Sequence, residues 1–198
     1  GGSLTGNQSG GAGGGSGGGG GMGVEFGTHN TIHAHGNVTL TTDGTAGIYA
    51  AGGTGNLVTV DGVYTATIGS NGNLSPFGAV ADSEAIVQLN QASITLNNSA
   101  GIGLYALANG TVNATGNVTV NMGGGTGLRA SGAGAQVNAT GTTLLQGTSG
   151  NAISVPAGVT GAPGLSGSGV LASNGGTVRL GNSTIDTQGF MANGLAAF

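Results

Sequence analysis

From Gly23 onward the chain is written in short runs in which apolar and polar residues alternate, as in Val112-Asn113-Ala114-Thr115 and Val118-Thr119-Val120. A two-residue period over so few positions is that of a half-buried strand. A helix needs a longer run with a 3.6-residue period. The alternation turns Val112, Ala114, Val118 and Val120 toward a core and leaves Asn113, Thr115 and Thr119 outside.

The runs come in threes, and the threes repeat. A lead run opens with glycine at Gly23, Gly47, Gly78, Gly103, Gly127, Gly169 and Gly194, at intervals of 24, 31, 25, 24, 42 and 25 residues. Gly103-Leu104-Tyr105-Ala106 is followed by its two partner runs at offsets of 9 and 15 residues. Ile32 and Val38 stand at those same offsets from Gly23. A fixed period of this size marks a solenoid, because no single unit can bury its own apolar face. The expected fold is all-β: a parallel β-helix with three short strands per roughly 24-residue coil and about six to seven coils over residues 23–198. At about 4.8 Å per coil the rod is on the order of 30 Å long. The two long intervals place insertions near residues 69–77 and 148–167, both rich in turn residues and both containing proline. Residues 1–22 hold little that could be buried, and 13 of the first 21 are glycine, so a Gly/Ser-rich disordered leader is expected there.

Composition narrows the function classes. The 198 residues include 48 glycines, without a period of three and with only 3 prolines, which excludes collagen. There is no lysine, and Arg129 and Arg179 are the only arginines in a chain of net charge −4, so nucleic-acid binding has almost no cations to work with. Cysteine is absent, which suits a chain that crosses an oxidising compartment unfolded. No run reaches the ~20 apolar residues of a membrane-spanning helix.

The sequence Gly-Ile-Tyr-Ala at 47–50, then a Gly-rich turn, Val-Asn-Ala-Thr at 112–115, Gly-Asn and Val-Thr-Val at 118–120 resembles the passenger repeats of bacterial autotransporters (type V secretion) of the pertactin-like, adhesin-type kind. The resemblance covers residues 23–198. It implies a right-handed parallel β-helix of the pectin lyase-like type, displayed at the surface of a Gram-negative cell. In the family an outer-membrane barrel anchors the passenger; neither that barrel nor a signal peptide is visible in these residues.

Candidate chemistry is sparse. His29, His33 and His35 form the one histidine cluster, and His33 and His35 share a strand face, so the three are the candidate metal ligands. The register turns His33 and His35 outward as a solvated face with no carboxylate near in sequence except Glu25, and no metal is assigned. Gly52-Gly53-Thr54-Gly55-Asn56-Leu57 approaches a calcium-binding nonapeptide, but Asn56 stands where the carboxylate belongs, so the stretch reads as a Gly-rich corner. Asp43 and Asp61 sit beside glycine and read as turn residues, while Asp82 and Glu84 share a face by alternation. Carbohydrate-cleaving β-helices need clustered carboxylates and a base, so no catalytic residue and no cofactor is expected.

Tyr49 and Tyr105 fall at equivalent positions of two coils, with Arg129 in the same place in another; with Pro76, Phe77, Pro156 and Pro163 of the insertions they are the candidate binding residues. Outward rows of Thr, Ser and Asn add flat ladders of hydroxyls and amides. The expected function is adhesion or cell–cell aggregation, with a second copy or a host or cell-surface ligand as partner. A polysaccharide lyase or hydrolase, and a passive stalk, are the alternatives.

Overall fold

The computed structural model describes residues 4–8, 20–25, 27–42, 46–69, 76–97, 100–147, 168–187 and 193–198. Strand β1 (Leu4–Gln8) precedes a first coil made of β2 (Gly20–Val24), β3 (Thr31–Ala34) and β4 (Val38–Thr42). The second coil holds β5 (Ala46–Ala50) and the long β6 (Leu57–Ile68), and the third holds β7 (Phe77–Ala81) and the long β8 (Ile86–Leu96). In the fourth stand β9 (Ile102–Leu107), β10 (Thr111–Ala114) and β11 (Val118–Met122), and in the fifth β12 (Thr126–Ser131), β13 (Gln136–Ala139) and β14 (Thr143–Gly147). The sixth has β15 (Val170–Ser173), β16 (Thr177–Leu180) and β17 (Ser183–Asp186), and β18 (Leu195–Ala197) follows. The described residues contain no helix.

Among the described residues every strand pairing is parallel, and beyond the pairing of β1 with β4 each joins one coil to the next. The lead strands form a seven-stranded sheet, and the second and third strands, together with β1, share an eleven-stranded one. The fold is therefore the expected β-solenoid. The expected division into three strands holds where a corner interrupts the ladder. In the second and third coils, β6 and β8 instead run through the bend as single strands, with a register shift between Val60 and Val63. Gly62 makes that bend feasible, since a Cβ there would lie 2.6 Å from the Gly36 carbonyl carbon of the coil before.

Like stacks on like inside. Val58, Val87, Val112 and Val137 pair in succession and are all fully buried. Ala66, Ile94, Val120 and Leu145 form a second column, and Ile48, Ala79, Leu104, Leu128 and Val170 a third. Burying each large aliphatic contributes about 1.5–3 kcal/mol, a gain that exists only once a neighbouring coil is present.

The lead glycines form a ladder of their own, with one correction. Gly23 pairs with Tyr49, so the residue in register with Gly47 is Gly21. The first interval is thus 26 residues, because the corners after the first two lead strands are longer than those that follow. The ladder glycines stand where the third strand of the coil points an inward aliphatic side chain, Leu40 at Gly21, Ile94 at Gly78, Val120 at Gly103 and Leu145 at Gly127. A Cβ at Gly103 would meet Val120 Cγ1 at 2.7 Å and the Gly127 carbonyl oxygen at 2.5 Å. Nor does the ladder begin at Gly23: within the stretch expected to be a disordered leader, β1 pairs with β4 in parallel from Leu4↔Val38 to Gln8↔Thr42. The open edge of β4 offers backbone donors and acceptors that can be satisfied without regard to side-chain identity.

Tyr64 is the largest fully buried side chain, and its hydroxyl donates to the Gly78 carbonyl oxygen at 2.6 Å. Burial pushes its pKa far up; Tyr49 and Tyr105 are also raised, chiefly by burial. These are the chain's 3 tyrosines, and with no lysine or cysteine present they govern its titration at alkaline pH. Above pH ~10 the unfolded chain releases tyrosine protons that the folded chain keeps, so stability falls as pH rises. Thermal midpoints recorded from pH 8 to 11.5 are expected to be flat and then drop. Tyr64→Phe should lose about 1 kcal/mol at neutral pH with its hydrogen bond, yet show a shallower alkaline drop.

Candidate functional site

The outward positions of the second strands make a continuous polar row. In register, His33 stacks on Thr59, Thr59 on Gln88, Gln88 on Asn113, Asn113 on Asn138 and Asn138 on Arg179. Asn138 Nδ2 donates to Asn113 Oδ1 at 2.9 Å, and the Arg179 guanidinium donates to Gln136 Oε1 at 2.9 Å and Asn138 Oδ1 at 3.2 Å. Two residues further along each strand lie Asp61, Asn90, Thr115 and Thr140, all exposed. Asn90 Nδ2 donates to the Asp61 carbonyl oxygen at 2.9 Å.

Between these rows runs an open groove of about 500 Å³, walled by Thr59, Asp61, Gln88, Asn90, Asn113, Thr115, Asn138 and Thr140. Donors and acceptors repeat along it at the coil spacing of about 4.8 Å. Asp61 is the one ionisable residue in its wall.

At one end the groove meets the histidines. His33 and His35 are both exposed on the outer face, as the alternation predicts. Asp61 is not a turn residue; it lies in β6, one coil above them. His33 Nε2 donates to both Asp61 carboxylate oxygens at 2.9 Å, and His35 Nδ1 donates to Oδ2 at 3.1 Å. The two imidazole centroids are 4.0 Å apart. The hydrogen bonds from His33, then His35, hold the Asp61 carboxyl below its usual range. His29 lies apart from this group, at the preceding corner, where its ring packs beside Gly55 and its backbone N–H donates to the Thr54 carbonyl at 3.1 Å.

The other sequence candidates resolve differently. Asn56 is fully buried in its corner, donating from Nδ2 to the Ala51 and Gly27 carbonyls at 2.7 and 3.1 Å and accepting the Asn30 N–H at 3.0 Å. Asp82 and Glu84 do not share a strand face: Ser83 and Glu84 make a turn with positive φ, and Glu84 accepts from the Thr54 hydroxyl of the coil before. Tyr49, Tyr105 and Arg129 do share one row on the outer face of the lead-strand sheet. That row is more buried than the sequence suggests, with Val80 at 1%, Tyr105 at 8% and Leu171 at 3% exposure. Outward side chains cover one another from coil to coil: the Phe77 and Tyr105 rings lie 5.3 Å apart, and the Arg129 guanidinium sits 5.2 Å from the Tyr105 centroid. Pro76 is buried, and its carbonyl accepts the Ile102 N–H at 2.8 Å. Pro156 and Pro163 lie outside the described residues, as do most of both insertions.

Comparison with protein-family models, with curated proteins and with solved structures finds no match to this chain.

Proposed function

We propose that this chain is a contact module: a surface-displayed β-helical passenger fragment, of the autotransporter kind its repeats resemble, acting in cell–cell aggregation or adhesion through its polar groove. The observation that carries this reading is the groove itself, a ladder of amides and hydroxyls four coils long from Thr59 to Thr140 with one ionisable residue, Asp61, in its wall. Such a face can meet an equivalent ladder on another copy, each amide offering both a donor and an acceptor. Low charge reduces the repulsion that would oppose the approach. In the alternative reading, glycoside cleavage, two carboxylates would have to flank a bound sugar; Asp61 alone lines the groove, and both its oxygens accept from histidine.

The test is display of the chain on a non-adherent bacterium, scoring settling and attachment. Wild-type display is expected to clump the cells. Thr115→Lys, at an exposed position in mid-groove, should reduce clumping severalfold at unchanged surface level and unchanged β-sheet signal. Equal clumping by the variant would remove the groove from the account, and no clumping by either would favour a passive stalk.

A further inference from the structure

The histidine pair and Asp61 have a geometry that the contact reading does not use. His33 and His35 are two residues apart on β3 and its end, so alternation brings both rings to one face. Asp61 arrives from the next coil, where Ala34 pairs with Val60. One ligand atom from each residue lies within 4.8 Å of the other two. Ligands about 2.0–2.2 Å from a common ion, at tetrahedral angles, stand a little over 3 Å from one another, close to the 2.9 and 3.1 Å that separate the two ring nitrogens from the Asp61 carboxylate.

We propose that His33 Nε2, His35 Nδ1 and the Asp61 carboxylate form a surface site for a late first-row divalent cation, with Zn²⁺, Ni²⁺ and Cu²⁺ as the ions of matching chemistry. Two imidazoles and one carboxylate suit these ions; Ca²⁺ and Mg²⁺ prefer shells of oxygen alone. The carboxylate that now accepts from both rings becomes a ligand, and the rings turn their lone pairs to the ion after releasing a proton to solvent where one is held on the ligating nitrogen. Three protein ligands leave coordination positions open to water or to an oxygen or nitrogen donor of a bound molecule. The site is held by two successive coils, so the stacked fold creates it and an unfolded chain does not.

The experiment is a Zn²⁺ titration of the full chain followed by the imidazole C–H resonances in NMR. The chain has 3 histidines, and His29 serves as the internal reference. One equivalent of Zn²⁺ is expected to shift or broaden the His33 and His35 signals and leave His29 in place, with millimolar Ca²⁺ or Mg²⁺ failing to compete. Asp61→Asn should weaken Zn²⁺ binding by roughly tenfold or more, matching at least the effect of losing an outer-shell partner. His35→Ala, at the most exposed of the three positions, should do the same, which guards against a fold defect in the first variant. Equal movement of all three histidines, no movement at one equivalent, or unchanged affinity in both variants would overturn the site.

Discussion

Gly103→Val should destabilise the solenoid by about 3 kcal/mol or more, the upper end of the cost of overpacking. The first added carbon already stands 2.5 Å from the Gly127 carbonyl oxygen and 2.7 Å from Val120 Cγ1, before the two methyls are counted. The carbonyl is tied to the backbone of the next rung and cannot step aside without loosening the pairing of β9 with β12. In a chain of this size that loss lowers the melting temperature by about 6–12 °C. Gly194→Ala is the matched control. It belongs to the same ladder, but the nearest atom to its added Cβ is Ile185 Cγ2 at 4.0 Å. Restricting the unfolded chain there should leave stability unchanged or raise it by a few tenths of a kcal/mol. Circular dichroism melts of the two variants separate close approach from any general intolerance of side chains in glycine-rich strands.

Asn56→Asp is expected to cost about 3–5 kcal/mol at neutral pH, the penalty of a buried charge without a counter-ion. The amide nitrogen donates to the Ala51 and Gly27 carbonyls; a carboxylate would present an acceptor to both and repel them. The introduced carboxyl, buried against carbonyl oxygens, has its pKa raised above that in the unfolded chain. The sign follows: the penalty is full at neutral pH and shrinks as pH falls toward the unfolded carboxyl's own range. Denaturant midpoints of the variant and the wild type should therefore converge on acidification. A difference that stays constant with pH would show that the Asn56 amide is not what holds the corner.

The strands, their inward and outward faces and the stacking of the coils are legible in the sequence, because each depends on a two-residue alternation and on matched offsets between coils. Val112, Val118 and their equivalents carry that signal directly. The His33–His35–Asp61 group is not legible at the same level, and the reason is a two-residue misregister. Taking Gly23 as the first lead sets Ile32 at an offset of 9, matching Val112 from Gly103 and hiding the longer corner of the first coil. With Gly21 as the lead the offset is 11, the same as from Gly47 to Val58, and His35 then falls beside Asp61. The spacing of the first two corners is the signal that could have found the group. The burial of Tyr105 beneath its own outer row has no such signal, since alternation marks a side chain as outward without saying what lies over it.

Contact through the polar groove would be felt first by the groove's own side-chain amides. Isotopically labelled chain mixed with increasing unlabelled chain should show concentration-dependent shifts in the side-chain amide signals of Gln88, Asn90, Asn113 and Asn138, with Asn56 unmoved. Perturbation of signals along the Tyr49–Tyr105–Arg129 row with the groove amides silent would rule the groove out and place the contact on the lead-strand sheet.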